Sequence, residues 1–346
     1  MEVDYIIVGL GLAGLSFASI LEENNKSFVV YEDHSQNSSK VAGGMYNPVI
    51  LKRFTPVWEG RSQLQTALPF YKKMEKRFKK KYDYQIDIFR LLNSVQEQNN
   101  WFTACDNPLL SHFMLPEINH SKIKGINSPF GFGRLQNTGR IDSRNLLKDY
   151  SNHLIGNGQL LQESFDYSQL IPSSQNICYQ NISAKKIVFC EGFGMKMNPY
   201  FNKLPLKEVK GELLKIESEE LQLDFLLKSS VFIMPIGENQ YKVGATFNWN
   251  DKTLHPTIAA RDELASKLKT ILTVPFEIVD QVAGIRPTVK DRRPLVGVDP
   301  IHTNIAILNG LGTRGVMIAP TMAQTLYDAL ESGKQIPKDV NINRFD

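Results

Sequence analysis

The sequence predicts a two-domain α/β chain, and three observations predict it. An apolar strand over 4–8 runs into Gly9-Leu10-Gly11-Leu12-Ala13-Gly14 and then into a helix over 12–24. A second apolar strand over 27–31 follows and gives way to an acid, Glu32. Towards the other end, an apolar strand over 305–309 enters another glycine turn, Gly310 to Gly315, followed by a helix over 316–330. Strands that alternate with helices imply a parallel sheet. At 346 residues the chain has the length of two domains.

Each glycine of the first turn has a mechanical reason. Gly9 permits the tight turn, Gly11 lets a diphosphate approach the backbone, and Gly14 lets helix and strand pack closely. Leu12 and Ala13 open a helix whose N-terminus offers free N–H groups and a positive dipole end. Glu32 stands 18 residues beyond Gly14, where an acid accepts hydrogen bonds from a ribose. Asp33 is the rival acid, and the strand-end position favours Glu32. The unit is a Rossmann-like dinucleotide site that serves FAD and a nicotinamide dinucleotide alike. The apolar run 5–21 is no signal peptide or anchor, because Glu2 and Asp4 flank it and three glycines interrupt it. With no other candidate span, a cytoplasmic location is expected.

Further along, Ala42-Gly43-Gly44-Met45 precedes Tyr46-Asn47-Pro48 and marks a tight backbone path suited to a flat cofactor. Over 62–81, Ala67, Phe70, Tyr71, Met74 and Phe78 form an apolar stripe at helical spacing. The opposite face carries Lys72, Lys73, Lys76, Arg77, Lys79, Lys80 and Lys81. A solvated face is the plain reading of that charge; a docking site for a polyanion such as tRNA is the sharper one. Residues 83–135 alternate short apolar runs with polar turns, and Trp101, Phe102, Phe113, Phe130 and Phe132 belong to a core. Asp142 or Ser143 caps the next helix, and a strand follows near 160–165. Residues 187–190 form a strand entering a glycine turn, and Cys190 reads as a buried, inert thiol. Strands over 209–216, 230–235 and 240–247 predict a second, mostly antiparallel sheet. A helix over 258–272 follows, with Leu264, Leu268 and Leu272 on one stripe.

Composition excludes several classes. Lys plus Arg total 40 against 36 acids, a net charge of +4 too mild for a general nucleic-acid binder. Three scattered cysteines make no disulfide framework, and six unpaired histidines make no zinc site.

Four segments resemble the D-amino-acid-oxidase-like flavoproteins, which include glycine and sarcosine oxidases. They are VGLGLAGLS with VVYED, KKIVFCEG, VKGELLKI with VFIMPIGENQYKVGATF, and AGIRPTVKDRRPLVG with NGLGTRGVMIAP. Within the last, GLGTRG is similar to the oxidase half of the bifunctional enzyme that builds methylaminomethyl-uridine in tRNA, as is GGMYNPV. The resemblance implies non-covalent FAD and a GR2-type FAD-binding domain from 1–82, 136–204 and 281–346. A substrate-binding α+β domain on an antiparallel sheet, 83–135 plus 205–280, is interlaced with it. It implies oxidation of a C–N bond of an amino acid or other amine, with removal of a carboxymethyl group from a wobble uridine of tRNA as the alternative. A nicotinamide-dependent dehydrogenase and a flavin binder without turnover are the readings from other classes.

By the same resemblance Arg286 matches the family's carboxylate-binding arginine, which can hold a carboxylate through two parallel hydrogen bonds. Phe232 stands where glycine oxidase carries a tyrosine, so one hydroxyl contact is missing. Gly312, Thr313, Gly315 and Val316 would aim helix N-terminal N–H groups at the flavin edge that gains negative charge, with Arg314 either adding charge there or pointing away. Phe165, Glu191 and Gly192 complete the cofactor set.

Overall fold

The computed structural model describes residues 1–345. Five parallel strands form the centre of the first sheet, in the order Leu160–Leu161, Phe28–Tyr31, Glu2–Val8, Ile182–Phe189, Ile305–Asn309. Both faces of these strands are covered, which is why FVVY is buried at every position. Strand Leu295–Val298 adds antiparallel to Ile305–Asn309, and a small hairpin of Leu170–Pro172 and Ile177–Tyr179 adds to the start of Ile182–Phe189.

Helices Leu12–Glu23, Gly60–Phe78, Ser143–Gly156 and Gly315–Ser332 share one core with this sheet. On the other face Tyr31, Phe165, Tyr179, Phe189 and Phe201 pack ring against ring; Phe165 stacks on Tyr179 at 4.1 Å between centroids.

Glu331 on the last helix ties the two ends of the chain together. It accepts from Tyr5 (2.5 Å), Lys186 (3.0 Å) and Lys26. Burial raises its pKa, but these three partners outweigh burial and hold the carboxyl at about 2, below its ordinary 4.5. A depressed carboxylate stabilises the fold fully above pH 4.5, and that contribution is lost as pH falls towards 2. Glu331→Gln is therefore expected to lower stability at neutral pH. Denaturant titrations should show the gap to wild type shrinking towards pH 2.

The second sheet has eight strands in the order Glu277–Val289, Leu206–Glu217, Gln240–Gly244, Phe232–Gly237, Leu226–Lys228, Ile88–Leu91, Phe132–Leu135, Met114–Asn119. All neighbours are antiparallel except Leu226–Lys228 with Ile88–Leu91. Alternation divides its faces: Leu213, Phe232 and Met234 join the core shared with the first sheet, while Leu214, Ile233 and Val243 meet Leu264 and Leu268 of helix Ile258–Lys269.

Several expectations need correction. Residues 83–135 include a helix, Val95–Cys105: Ser94 Oγ accepts from the Glu97 N–H (3.1 Å) and Glu97 Oε2 from the Asn93 N–H (2.8 Å). Trp101, Phe113 and Phe132 are core, but Phe102 lies on the outer face of that helix and is exposed. The basic helix stops at Phe78, because Lys79 is left-handed at φ 52°. Asp142, not Ser143, caps the following helix. The strand expected over 160–165 ends at Leu161. The expected division at 280/281 falls inside strand Glu277–Val289, which pairs with Leu206–Glu217 along its length. Among the described residues, no helix is long and apolar enough to cross a membrane.

Candidate active site

All five parallel strands end on one edge of the first sheet. Val8 lies between Tyr31 and Phe189, and Phe189 lies beside Ile307. The residues that follow, Gly9, Glu32, Cys190 and the turn from Gly310, therefore meet at the carboxyl ends of the strands, where open α/β sheets bind ligands. Parallel register thus brings together turns from opposite ends of the chain. With the segment 35–45 and the inner face of the second sheet, they enclose a cavity of about 430 Å3. Every residue expected to hold the cofactor lines it except Gly14 and Arg314.

The first turn shows what each glycine does. Gly9 has φ +95°, and its N–H donates to the Tyr31 carbonyl at 2.8 Å. A Cβ on Gly14 would overlap the Gly9 carbonyl oxygen, so Gly14 serves helix–strand packing rather than the cavity. Gly11 has room for a Cβ, whose nearest neighbour would be Ser39 Oγ at 3.2 Å. It occupies the N-cap of helix Leu12–Glu23 without a side-chain cap of its own; the Leu12 N–H donates to Ser39 Oγ at 3.3 Å, and the donors after it have no side-chain acceptor.

Glu32 is buried at the strand end and accepts from the N–H groups of Leu10 (2.5 Å) and His34 (2.9 Å). Asp33 lines the same cavity but turns to Ser35 and Ser164. Glu191 is buried beneath them. Burial pushes its carboxyl up to about 7 although Tyr167 and Asn198 both donate to it. Cys190 is buried and its thiol is pushed up, so it is not a nucleophile.

The other end of the cavity is built by the second sheet. Gly43 sits against the Phe232 ring; a Cβ added there would lie 3.4 Å from the ring edge. Arg286 projects over Gly211, where any Cβ would overlap the guanidinium. Gly211 itself pairs with Gly284, so two facing glycines clear the floor beneath the arginine. The guanidinium lies over the Phe247 ring at 4.5 Å and donates to the Thr246 carbonyl at 3.2 Å. No carboxylate pairs with it among the described residues, and burial brings its pKa down to about 10.

The segment that carries Thr246 and Phe247 is anchored from behind. Lys210, wholly buried, donates to Asp251 (2.5 Å) and to the His255 carbonyl. Glu212 accepts from Thr257 N–H, Thr257 Oγ1 and Gln281 Nε2, all at 2.8 Å.

Helix Gly315–Ser332 also begins without a side-chain cap, behind Gly312 at φ +61°. Its first N–H groups stay open beside the cavity. Arg314 is a correction. It takes the N-cap position but does not line the cavity, and burial together with Arg292 and Arg293 lowers its pKa. Sequence reasoning missed Gly211, Lys228, Ser230, Phe247 and Tyr167. A glycine inside an apolar strand, as in VKGELLKI, was the available signal for the first.

The basic surface is smaller than its composition. Arg77 pairs with Glu22 through two hydrogen bonds of 2.6 and 2.8 Å, Lys73 with Glu23 and Lys80 with Asp149. Lys81 lies over the Tyr84 ring at 5.0 Å.

The donor set fits FAD: two helix N-termini and a strand-end acid open on one cavity whose far end carries the Phe232 ring and the Arg286 guanidinium. The family described as FAD dependent oxidoreductase (DAO) matches residues 4–329. The tRNA 5-methylaminomethyl-2-thiouridine biosynthesis bifunctional protein of Marinobacter nauticus is 21% identical over 94% of this chain and 55% of its own length. Glycine oxidase of Bacillus subtilis is 27% identical over 46% of this chain and 44% of its own. The chain spans about half the length of the curated relatives it matches. Among solved structures, glycine oxidase from Geobacillus kaustophilus shares the fold with a TM-score of 0.81 at 17% identity, over 96% of each chain. Iminodiacetate oxidase from Chelativorans sp. BNC1 gives 0.80 at 14% identity, over 97% of this chain and 99% of that one.

Proposed function

This chain belongs to the FAD dependent oxidoreductase family, and on that premise we propose that it oxidises a C–N bond of an amino acid or another carboxylate-bearing amine. One observation carries the reading: the half-buried Arg286 guanidinium faces the cavity with no carboxylate of its own. A desolvated cation without a counter-ion is costly unless a ligand supplies the anion. When bound, FAD accepts the hydride leaving the carbon that bears nitrogen, and the resulting imine hydrolyses in water.

The chain's own residues orient and exclude. Gly11, Leu12 and Ala13 would hold the diphosphate on the first helix N-terminus, and Glu32 the ribose. Gly43, Gly44 and Met45 would lie along the ring, while the N–H groups following Thr313 would face its electron-rich edge. Arg286 fixes the carboxylate and so sets which carbon meets the ring. Phe232 fills the floor and excludes water without adding a hydroxyl.

Gly211→Ala is expected to displace the guanidinium and raise KM for such an amine at least tenfold, about 1.4 kcal/mol, with FAD content unchanged. Steady-state kinetics with flavin quantitation checks it.

A second reading is removal of the carboxymethyl group from a wobble-uridine modification in tRNA. The similarity to the tRNA biosynthesis protein over 94% of this chain favours it, and Lys72, Lys76 and Lys79 are exposed for RNA. Anaerobic mixing of the yellow holoprotein with glycine, sarcosine, D-amino acids and hypomodified tRNA separates the readings. Bleaching by the small amines supports the first, and bleaching by tRNA alone supports the second. No bleaching by any of them overturns both.

A further inference from the structure

The inner face of the second sheet contributes two charged side chains to the cavity, and both are cations: Arg286 and Lys228. The acids that line the cavity, Glu32, Asp33, Glu163 and Glu191, all follow strand ends or loops of the first sheet. Lys228 ends strand Leu226–Lys228 and pairs across to Phe232, so its side chain shares the cavity face with that ring.

The charged neighbours of Lys228 do not neutralise it. Arg90, beside it on the next strand, is paired with Glu97 at 3.0 Å, and Lys267, from the helix behind the sheet, with Glu263. Among the described residues, no carboxylate or carbonyl lies within bonding distance of the Lys228 ammonium. Burial first, and then Arg90 and Lys267, bring its pKa down to about 8. The two cations of the second sheet are thus alike: each is desolvated, and neither is matched by an acid of the protein.

The register sets how far apart they stand. Leu213, Gly244, Phe232 and Lys228 lie in one row across four strands. The Arg286 guanidinium lies over Gly211, two residues along from Leu213. The guanidinium therefore stands three strand spacings, about 14 Å, across the sheet from the Lys228 backbone and two residues, about 7 Å, along it, roughly 16 Å in all. The Lys228 side chain is long enough to reach inwards, so its ammonium can stand closer to the guanidinium than that.

We propose that Lys228 is a second anion site in the substrate end of the cavity, and that the substrate is an elongated amine with two acidic groups: a carboxylate on Arg286, and a carboxylate or phosphate on Lys228. This rests on the reading of Arg286 given above and adds a substrate class to it. Lys228 is a specificity residue: it holds the remote anion and takes no part in bond breaking.

Non-oxidisable ligands test it on the holoprotein. Straight-chain monocarboxylates, α,ω-dicarboxylates and ω-phosphonocarboxylates of graded length are titrated by calorimetry and by perturbation of the flavin spectrum. The doubly anionic ligands are expected to bind at least tenfold more tightly than the monocarboxylate of equal length, above a threshold length. The better of the two series identifies the remote group. Lys228→Met should abolish that gain and leave monocarboxylate affinity unchanged, Lys228→Arg should keep it, and thermal melts should confirm that both variants fold. Monocarboxylate binding with no gain at any length, or a gain that survives Lys228→Met, overturns this proposal alone. Absence of all carboxylate binding overturns the Arg286 reading with it.

Discussion

Arg286→Ala is expected to raise KM for a carboxylate-bearing amine by roughly 30-fold or more while the protein stays yellow. Truncating one partner of a desolvated, hydrogen-bonded ion pair costs about 2–5 kcal/mol, and each 1.4 kcal/mol is about tenfold. The sign of the stability change separates this role from a structural one. In the ligand-free protein the guanidinium is half-buried with one carbonyl acceptor and no carboxylate. Removing such a charge relieves desolvation, so the melting temperature of the variant should be unchanged or higher. A structural ion pair predicts the reverse, a lower melting temperature with KM little altered. Amines without a carboxylate provide the control, because their slow oxidation should be insensitive to the substitution.

Gly11→Val should produce a folded protein that binds FAD at least 100-fold more weakly. Gly11 has ordinary φ, −80°, and a Cβ there has only Ser39 Oγ close by, at 3.2 Å. The fold therefore accepts a side chain, which then occupies the space where a diphosphate must approach the helix N-terminus. Gly14→Val should fail differently. Its Cβ would overlap the Gly9 carbonyl oxygen, so helix and strand separate and stability falls. Apo-protein melting curves together with FAD titrations distinguish the two outcomes. If Gly11→Val binds FAD normally, the first turn is not the diphosphate site.

Local chemistry made the nucleotide half of the site legible. The turn Gly9 to Gly14, the acid Glu32 and the turn Gly310 to Gly315 each announce themselves within a few residues, and all reach the same cavity. The substrate half depends on long-range pairing. Strand Glu277–Val289 opens as EIVDQV, with no apolar run, and becomes a strand by pairing with Leu206–Glu217. Gly211 and Gly284 matter only as facing partners, and nothing local pairs them. Lys228 follows Leu226 and Leu227 and precedes two serines, a pattern that carries no signal until the register turns it inwards. Helix Val95–Cys105 is the exception, since Ser94 and Glu97 spell a capping signal that was there to be read. Arg314 shows the opposite failure: it sits in a glycine turn beside the cavity, yet it is not among the residues that line it.

The most direct test is a crystal structure of the protein with FAD and a non-oxidisable carboxylate ligand. The account predicts the diphosphate against Gly11 and Leu12, the ring along Gly43, Gly44 and Met45 near Phe232, and the carboxylate on Arg286. A ring lying away from Phe232 and Arg286, or a carboxylate bound elsewhere while Arg286 keeps only the Thr246 carbonyl, would contradict it.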